Sequence, residues 1–320
     1  MRRSILLFAF CLAASAQPSA ELARASKSPY DLARYIDAHT GFSWEPLWQA
    51  LGIGDSDARY LFPCEKRTDC TSELITFLDP DQTIVHIQAG VTWDTYLRYL
   101  GTPAAGWRFA GAYTPTFRYF PRRHETLRLG KKPFLRVSTQ GVNGSDVGSE
   151  IENWFDLTEP DFKPVFSFSP QGWGLDHMEG PPVIVLNHRY TGFVTVDEDE
   201  PGEAIRLSIE ISFQAKDDSS EYGLGSTNYV GVYRRDPGQK KFTLRSAYPL
   251  LDEHAPIPNQ RFERLVGRIS FKDEEVLIYM LDRFKRIASG PATPEKRWLT
   301  KFVAGCKDTP EKRALQTLLR

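Results

Sequence analysis

The chain has 320 residues, with 40 Lys and Arg against 41 Asp and Glu, a formal net charge of −1. That balance leaves no electrostatic footprint for nucleic acid or an anionic lipid surface. Twenty Phe, 13 Tyr and 7 Trp argue for a packed core and against disorder.

Residues 1–16 read as a secretory signal. Arg2 and Arg3 precede the apolar run Ile5 to Ala14, and Ala14-Ser15-Ala16 is a small-residue cleavage site. The run is too short to span about 30 Å of hydrocarbon, and no later stretch is apolar for long enough. The expectation is a secreted or periplasmic protein with no integral membrane segment after cleavage. Export permits disulfides. Cys64 and Cys70 flank a short polar loop, so a Cys64–Cys70 bridge is expected. Zinc is the rival, but the spacing is not C-x-x-C and no histidine is near in sequence. Cys306 is then an odd, buried thiol.

Residues 17–27 read as a flexible leader. Ser28-Pro29-Tyr30-Asp31 opens a helix, with a capping serine, proline at the first helical position and an acid in the first turn. Leu32, Tyr35 and Ile36 form its apolar stripe. A second helix starts at Ser43 and ends at Gly52, and its Trp44, Leu47 and Trp48 face the core.

Strands begin near Leu74. Thr83 to Ala89 alternates, Thr92 to Leu100 fits either a short helix or a strand, and Trp107 to Phe120 is broken by Pro115. His124 to Gly130 and Phe134 to Gln140 form a hairpin about Lys131-Lys132. Asn143-Gly144 marks a second hairpin, because both residues tolerate positive φ. Beyond it, Ile151, Phe155 and Leu157 face one way, and Glu150, Glu152, Trp154 and Asp156 the other. Val183 to Val196 and Ala204 to Ala215 follow. In the latter, Ile205, Leu207, Ile209, Ile211 and Phe213 alternate without error with Arg206, Ser208, Glu210, Ser212 and Gln214. Tyr229 to Tyr233 and Lys241 to Ser246 complete the strands. Short turns without intervening helices imply antiparallel pairing.

Composition changes near Asp252. Val276, Leu277, Met280, Leu281, Phe284 and Ile287 make one helical face, ended by Gly290-Pro291. Thr293-Pro294 and Thr309-Pro310 open two more helices. The expected fold is α+β: a large, mainly antiparallel, twisted sheet with short N-terminal helices, and a C-terminal helical segment packed on its apolar face. Residues 28–252 would form the β-rich core. Residues 253–320 would be helical and belong to the same cooperative unit.

The chain carries no motif set of a known family. G-x-S-x-G, H-E-x-x-H, Walker and G-x-G-x-x-G patterns are absent. Three constellations could carry chemistry. Glu150 and Glu152 lie two apart on a strand, about 7 Å, and paired carboxylates beside an aromatic suit glycoside hydrolysis. An ordinary strand face shows the same pattern, its acids paired with Arg or Lys across the sheet. The second is the Gly- and Pro-rich stretch 169–182, read as a loop, which presents Trp173, Asp176 and His177, with His188 on the next strand. The third, Asp197-Glu198-Asp199-Glu200, reads as a hairpin tip and lacks the ligand spacing of a Ca²⁺ loop.

The function read from this pattern is an exported, non-catalytic binding or interaction protein using the polar face of its sheet. The ligand would be a polar molecule, a sugar or peptide, or another protein. The expected contact residues are Arg136, Glu150, Glu152, Trp154, Trp173, Arg206 and Glu210. The alternative is a secreted hydrolase acting on a glycan or similar polymer, with Glu150, Glu152, Asp176 and His177 as catalytic candidates. Neither a cofactor nor a metal is expected.

Overall fold

A computed structural model describes residues 20–320, except 40–41, 55–56, 58–65, 68–69, 77–80, 91–92, 116–122, 144–146, 179–183, 197–203, 217–220, 236–237, 239, 251–255 and 267–270. The architecture is α+β with antiparallel sheets. Contacts divide the chain into two compact units. The first comprises residues 1–127, 132–135 and 155–163. The second comprises 128–131, 136–154 and 164–320.

In the first unit, α1 (Pro29–Ala38) and α2 (Trp44–Ala50) cover one face of a four-stranded sheet. Its strands run in chain order: β3 (Cys70–Thr76), β4 (Gln82–Ala89), β5 (Trp93–Thr102) and β6 (Gly106–Tyr113). A separate two-stranded ladder joins β1 (Phe42–Ser43) to β2 (Lys66–Arg67). Helix α1 starts as its sequence implies: the Ser28 hydroxyl accepts from the Asp31 N–H, with Pro29 at the first helical position. Ser43 occupies the cap of α2 but makes no side-chain cap bond. Leu32, Ile36, Trp44 and Leu47 from the helices meet Val85, Ile87 and Leu97 from the sheet, all nearly inaccessible to water. Residues 20–25, in the stretch read as a leader, are helical, and Leu22 and Ala25 join this core. The Asp37 carboxylate accepts from both the N–H and the hydroxyl of Ser72, tying α1 to β3. Within the stretch that fitted helix or strand at Thr92 to Leu100, residues 93–100 lie in strand β5, paired with β4 on one side and from Tyr96 onward with β6 on the other.

The largest sheet has nine strands. Its order is β15 (Phe242–Pro249), β14 (Glu221–Arg235), β13 (Ala204–Lys216), β12 (Ile184–Val196), β11 (Gln171–Met178), β9 (Val147–Asp156), β8 (Lys132–Asn143) and β7 (His124–Leu129), with β10 (Phe166–Phe168) added on β9. β7 and β8 are joined through Gly130, at φ 59°, and Lys131. The stretch 169–182, read as a loop, contains β11. Its glycines did not prevent pairing, because neighbours on both sides supply the ladder.

In the second unit, the alternation of β13 decides which face is covered. Ile205, Leu207, Ile209, Ile211 and Phe213 are buried, while Arg206, Glu210 and Gln214 are exposed. The covering layer is α3 (Asn259–Leu265), α4 (Asp273–Tyr279), α5 (Leu281–Ser289), α6 (Pro294–Gly305) and α7 (Pro310–Leu319). The single helix expected through Val276 to Ile287 is α4 and α5, separated by Met280 at φ −106°, ψ 11°. The Thr293 and Thr309 hydroxyls cap α6 and α7, each followed by proline. Rings seat the helices on the sheet and on one another: Phe213 against Phe271, Tyr229 against Tyr279, and Trp298 stacked on Phe302 at 4.9 Å. Cys306 is buried and its thiol donates to the Phe302 carbonyl. Cys64 lies outside the described residues, so the expected Cys64–Cys70 bridge does not enter this description. Cys70 is buried, and no disulfide occurs among the described residues.

Gly231 on β14 allows the ring of Phe262, on α3, to lie against the strand. A Cβ at that position would stand 2.3 Å from the ring. Gly231→Ala is therefore expected to overpack the site and destabilise the protein by about 1–3 kcal/mol. Thermal unfolding measures this. An unchanged melting temperature would mean that Phe262 is not seated on Gly231.

Candidate functional site

The two carboxylates that suggested catalysis lie on β9, and both are buried. Glu150 is 5% exposed and Glu152 4%. The Gln171 amide donates to Glu150 at 2.8 Å. Glu152 accepts from Arg136 at 2.9 Å and from the Trp154 indole N–H at 2.6 Å. The Arg136 guanidinium also sits 5.7 Å from the Trp154 ring centre, a cation–π distance. Trp154 is 2% exposed and meets Phe166 edge-on. The expected polar face does exist here, but it is covered. Burial forces each carboxylate to find donors, and β8, β10 and β11 supply or enclose them. These residues form a buried hydrogen-bonded group rather than an open surface.

The open face lies further across the same sheet. One register row runs Gly148, Trp173, Arg189, Ser212, Ser226 across β9, β11, β12, β13 and β14. Trp173 is 38% exposed. Its ring lies over Gly148, where an added Cβ would stand 2.3 Å from the indole. Glycine at 148 thus gives the ring a flat seat. Trp173, Arg189, Ser212 and Gln214 line a pocket of about 560 Å³. The β13–β14 ladder shifts register at Phe213/Gln214, beside this pocket. Such bulges re-aim side chains and are common next to binding sites. Arg206 and Glu210 are exposed on the same face of β13.

Two further exposed aromatics share that face. Phe193, 56% exposed, pairs with Ser208, which pairs with Val230, which pairs with Tyr248, 39% exposed. Three strand spacings, about 14 Å, separate Phe193 from Tyr248. Asp176 and His177 occupy consecutive positions of β11, opposite Leu186 and Val185, away from the Trp173 row. His188 pairs with Gly174. The acidic run 197–200 lies outside the described residues, between β12 and β13. Arg189 and Phe193 were not singled out by sequence, although period-2 alternation through β12 assigns Arg189, Thr191, Phe193 and Thr195 to one face.

A second grouping, also unannounced by the sequence, lies in the first unit. Glu73 pairs with His86 and His86 with Tyr96, in one row across β3, β4 and β5. His86 Nδ1 is 3.4 Å from Glu73 Oε2, and its Nε2 is 3.0 Å from Asp94 Oδ1. His124 Nε2 is 3.7 Å from the same Glu73 oxygen. Tyr96 stacks on His86 at 4.6 Å. Burial and then the neighbouring His86 hold His124 below the usual imidazole pKa.

The sequence matches no protein-family model, and no curated protein resembles it at a significant level.

The Arg136–Glu152 contact has a checkable energetic consequence. Arg136→Met leaves the Glu152 carboxylate buried without its cation. Removing one partner of a buried pair costs roughly 3–5 kcal/mol, and the partly exposed Arg136 side chain places the loss at the low end. The double variant Arg136→Met with Glu152→Gln should recover much of it, because the Gln carbonyl still accepts from Trp154. Denaturant unfolding of the three proteins measures the coupling, and equal losses in single and double variants would refute it.

Proposed function

We propose that the protein is an exported, non-catalytic binding protein whose ligand is polar, a sugar or a short peptide, held on the open face of the large sheet. The observation that carries this reading is the exposed Trp173 ring beside Arg189, Ser212 and Gln214 in one pocket. An aromatic platform gives apolar contact to the flat side of a sugar ring or a peptide side chain. The guanidinium, hydroxyl and amide beside it supply hydrogen bonds that fix orientation. Phe193 and Tyr248 extend the face with further aromatic stations, and Arg206 and Glu210 give it charge of both signs. That spread suits an extended ligand better than a compact one.

Export rests on the Arg2-Arg3 start, the apolar run to Ala14 and the Ala14-Ser15-Ala16 site. The Cys64–Cys70 bridge belongs to the same reading. Among the described residues no helix is long and apolar enough to cross a membrane. Hydrolysis by Glu150 and Glu152 is disfavoured, since both are buried and already hydrogen-bonded within the fold.

The test compares the wild type with Trp173→Ala on glycan and peptide arrays, followed by titration of whatever the wild type retains. Truncating a central aromatic anchor should cost about 2 kcal/mol or more, roughly thirty-fold in Kd. The melting temperature should fall only modestly, because the Trp173 ring packs on Gly148 by one side and is 38% exposed. Identical binding by both proteins, or retention of nothing by the wild type, rejects the proposal.

A further inference from the structure

We infer that Glu73, His86 and His124 form a binding site for a divalent late-transition metal ion, best matched by zinc, with Asp94 as the positioning residue behind His86. This site lies within the first unit and is independent of the ligand face on the large sheet. One possible ligand atom from each of Glu73, His86 and His124 lies within 4.8 Å of the other two. Two imidazoles and one carboxylate are a donor set that zinc accepts, with bonds of about 2.0–2.2 Å.

The distances favour an ion over simple hydrogen bonding. Charge-assisted N–H···O bonds run about 2.7–2.9 Å. The Glu73 contacts to His86 and His124, at 3.4 and 3.7 Å, are longer than that. Two donors on a tetrahedral ion with bonds near 2.05 Å stand about 3.3–3.4 Å apart. The two contacts of Glu73 are close to that value.

The two nitrogens of His86 sharpen the argument. Both face carboxylate oxygens, Glu73 through Nδ1 and Asp94 through Nε2. A neutral imidazole carries one N–H and can donate to only one of them. A metal ion on the remaining nitrogen lone pair would satisfy the other contact. Asp94 is fully buried and His86 nearly so, and in the inferred site Nε2–H donates to Asp94 across the shorter of the two contacts, 3.0 Å. The Nδ1 lone pair then faces Glu73 and His124. A carboxylate that fixes the tautomer of a ligating histidine is the usual support for such a site. Tyr96, stacked on His86, holds the ring plane. Exposure rises outward from Asp94 and His86 through His124, 23% exposed, to Glu73, 60% exposed. An ion can therefore enter from solvent, and a fourth position remains for water or an external donor.

The test uses the full chain, stripped of metal by a chelator. Calorimetric titration should show one Zn²⁺ per chain and a rise in melting temperature, while Mg²⁺ and Ca²⁺ produce neither. Co²⁺ should give an intense visible spectrum typical of four-coordination. Glu73→Gln and His124→Ala alter partly exposed side chains, so the metal-free proteins should melt like the wild type. Each should lose at least ten-fold in Zn²⁺ affinity, together with the Co²⁺ spectrum. Asp94→Asn should weaken binding about ten- to hundred-fold while leaving the stoichiometry unchanged. Absence of saturable Zn²⁺ binding in the wild type overturns the inference. Binding that survives both Glu73→Gln and His124→Ala places the ion elsewhere and overturns it equally.

Discussion

Taking a charge out of water costs several kcal/mol unless partners replace the lost hydration, and both units bury ionisable groups on their sheets. Arg98, 2% exposed, shows the constraint most plainly. Its guanidinium donates to the backbone carbonyls of Leu157 and Glu159 and to the Gln82 side chain. Burial lowers its pKa, and the nearby Asp156 charge works against that shift. Three acceptors from two distant parts of the chain are thereby committed to one side chain. The segment 157–159 has no strand ladder of its own, and this clamp joins the Leu157 N–H to Pro133 carbonyl bond in holding it within the first unit. Glu152, with Arg136 and the Trp154 N–H, solves the same problem in the second unit.

This constraint separates structural from functional polarity. Glu150, Glu152 and Trp154 have the residue types of a catalytic or binding centre. They are hydrogen-bonded inside the fold and nearly inaccessible to water. Trp173, Arg189, Ser212 and Gln214 instead line a pocket, with Trp173, Arg189 and Gln214 exposed. The difference arises from the helical layer. Helices α3 to α7 cover the face of β13 that carries Ile205 to Phe213, which leaves Arg206 to Gln214 outward. The proposed ligand face lies on strands held by ladders on both sides, so its aromatic and polar groups keep their spacing without loop ordering.

The first unit uses its sheet differently. One face is apolar and packs on α1 and α2. The other buries His86, Asp94, Tyr96 and Arg98, a set unusually polar for a core, beside the exposed Glu73. Stacking of Tyr96 on His86 and the Asp94 contact make the imidazole stiff. A stiff imidazole costs little further entropy when a ligand arrives, which is the condition under which weak individual donors become a site.

Local chemistry determined much of this by itself. Errorless alternation through Ala204 to Ala215 marked β13 and its two faces, because side chains of a strand must alternate. Ser28-Pro29, Thr293-Pro294 and Thr309-Pro310 marked three helix starts, because a hydroxyl and a proline each suit the unsatisfied first turn. The succession of strands followed by helices led to α+β. Tertiary structure alone decided what covers each face. Alternation placed Glu150, Glu152 and Trp154 together but could not tell that neighbouring strands and their side chains would bury them. The glycines of 171–174 suggested a loop, yet pairing on both sides made a strand. The row joining Glu73, His86 and Tyr96 depends on the register of three strands, and His124 reaches it from far along the chain. Register and burial are set by contacts between distant segments, and those leave no trace in the spacing of residues along the sequence.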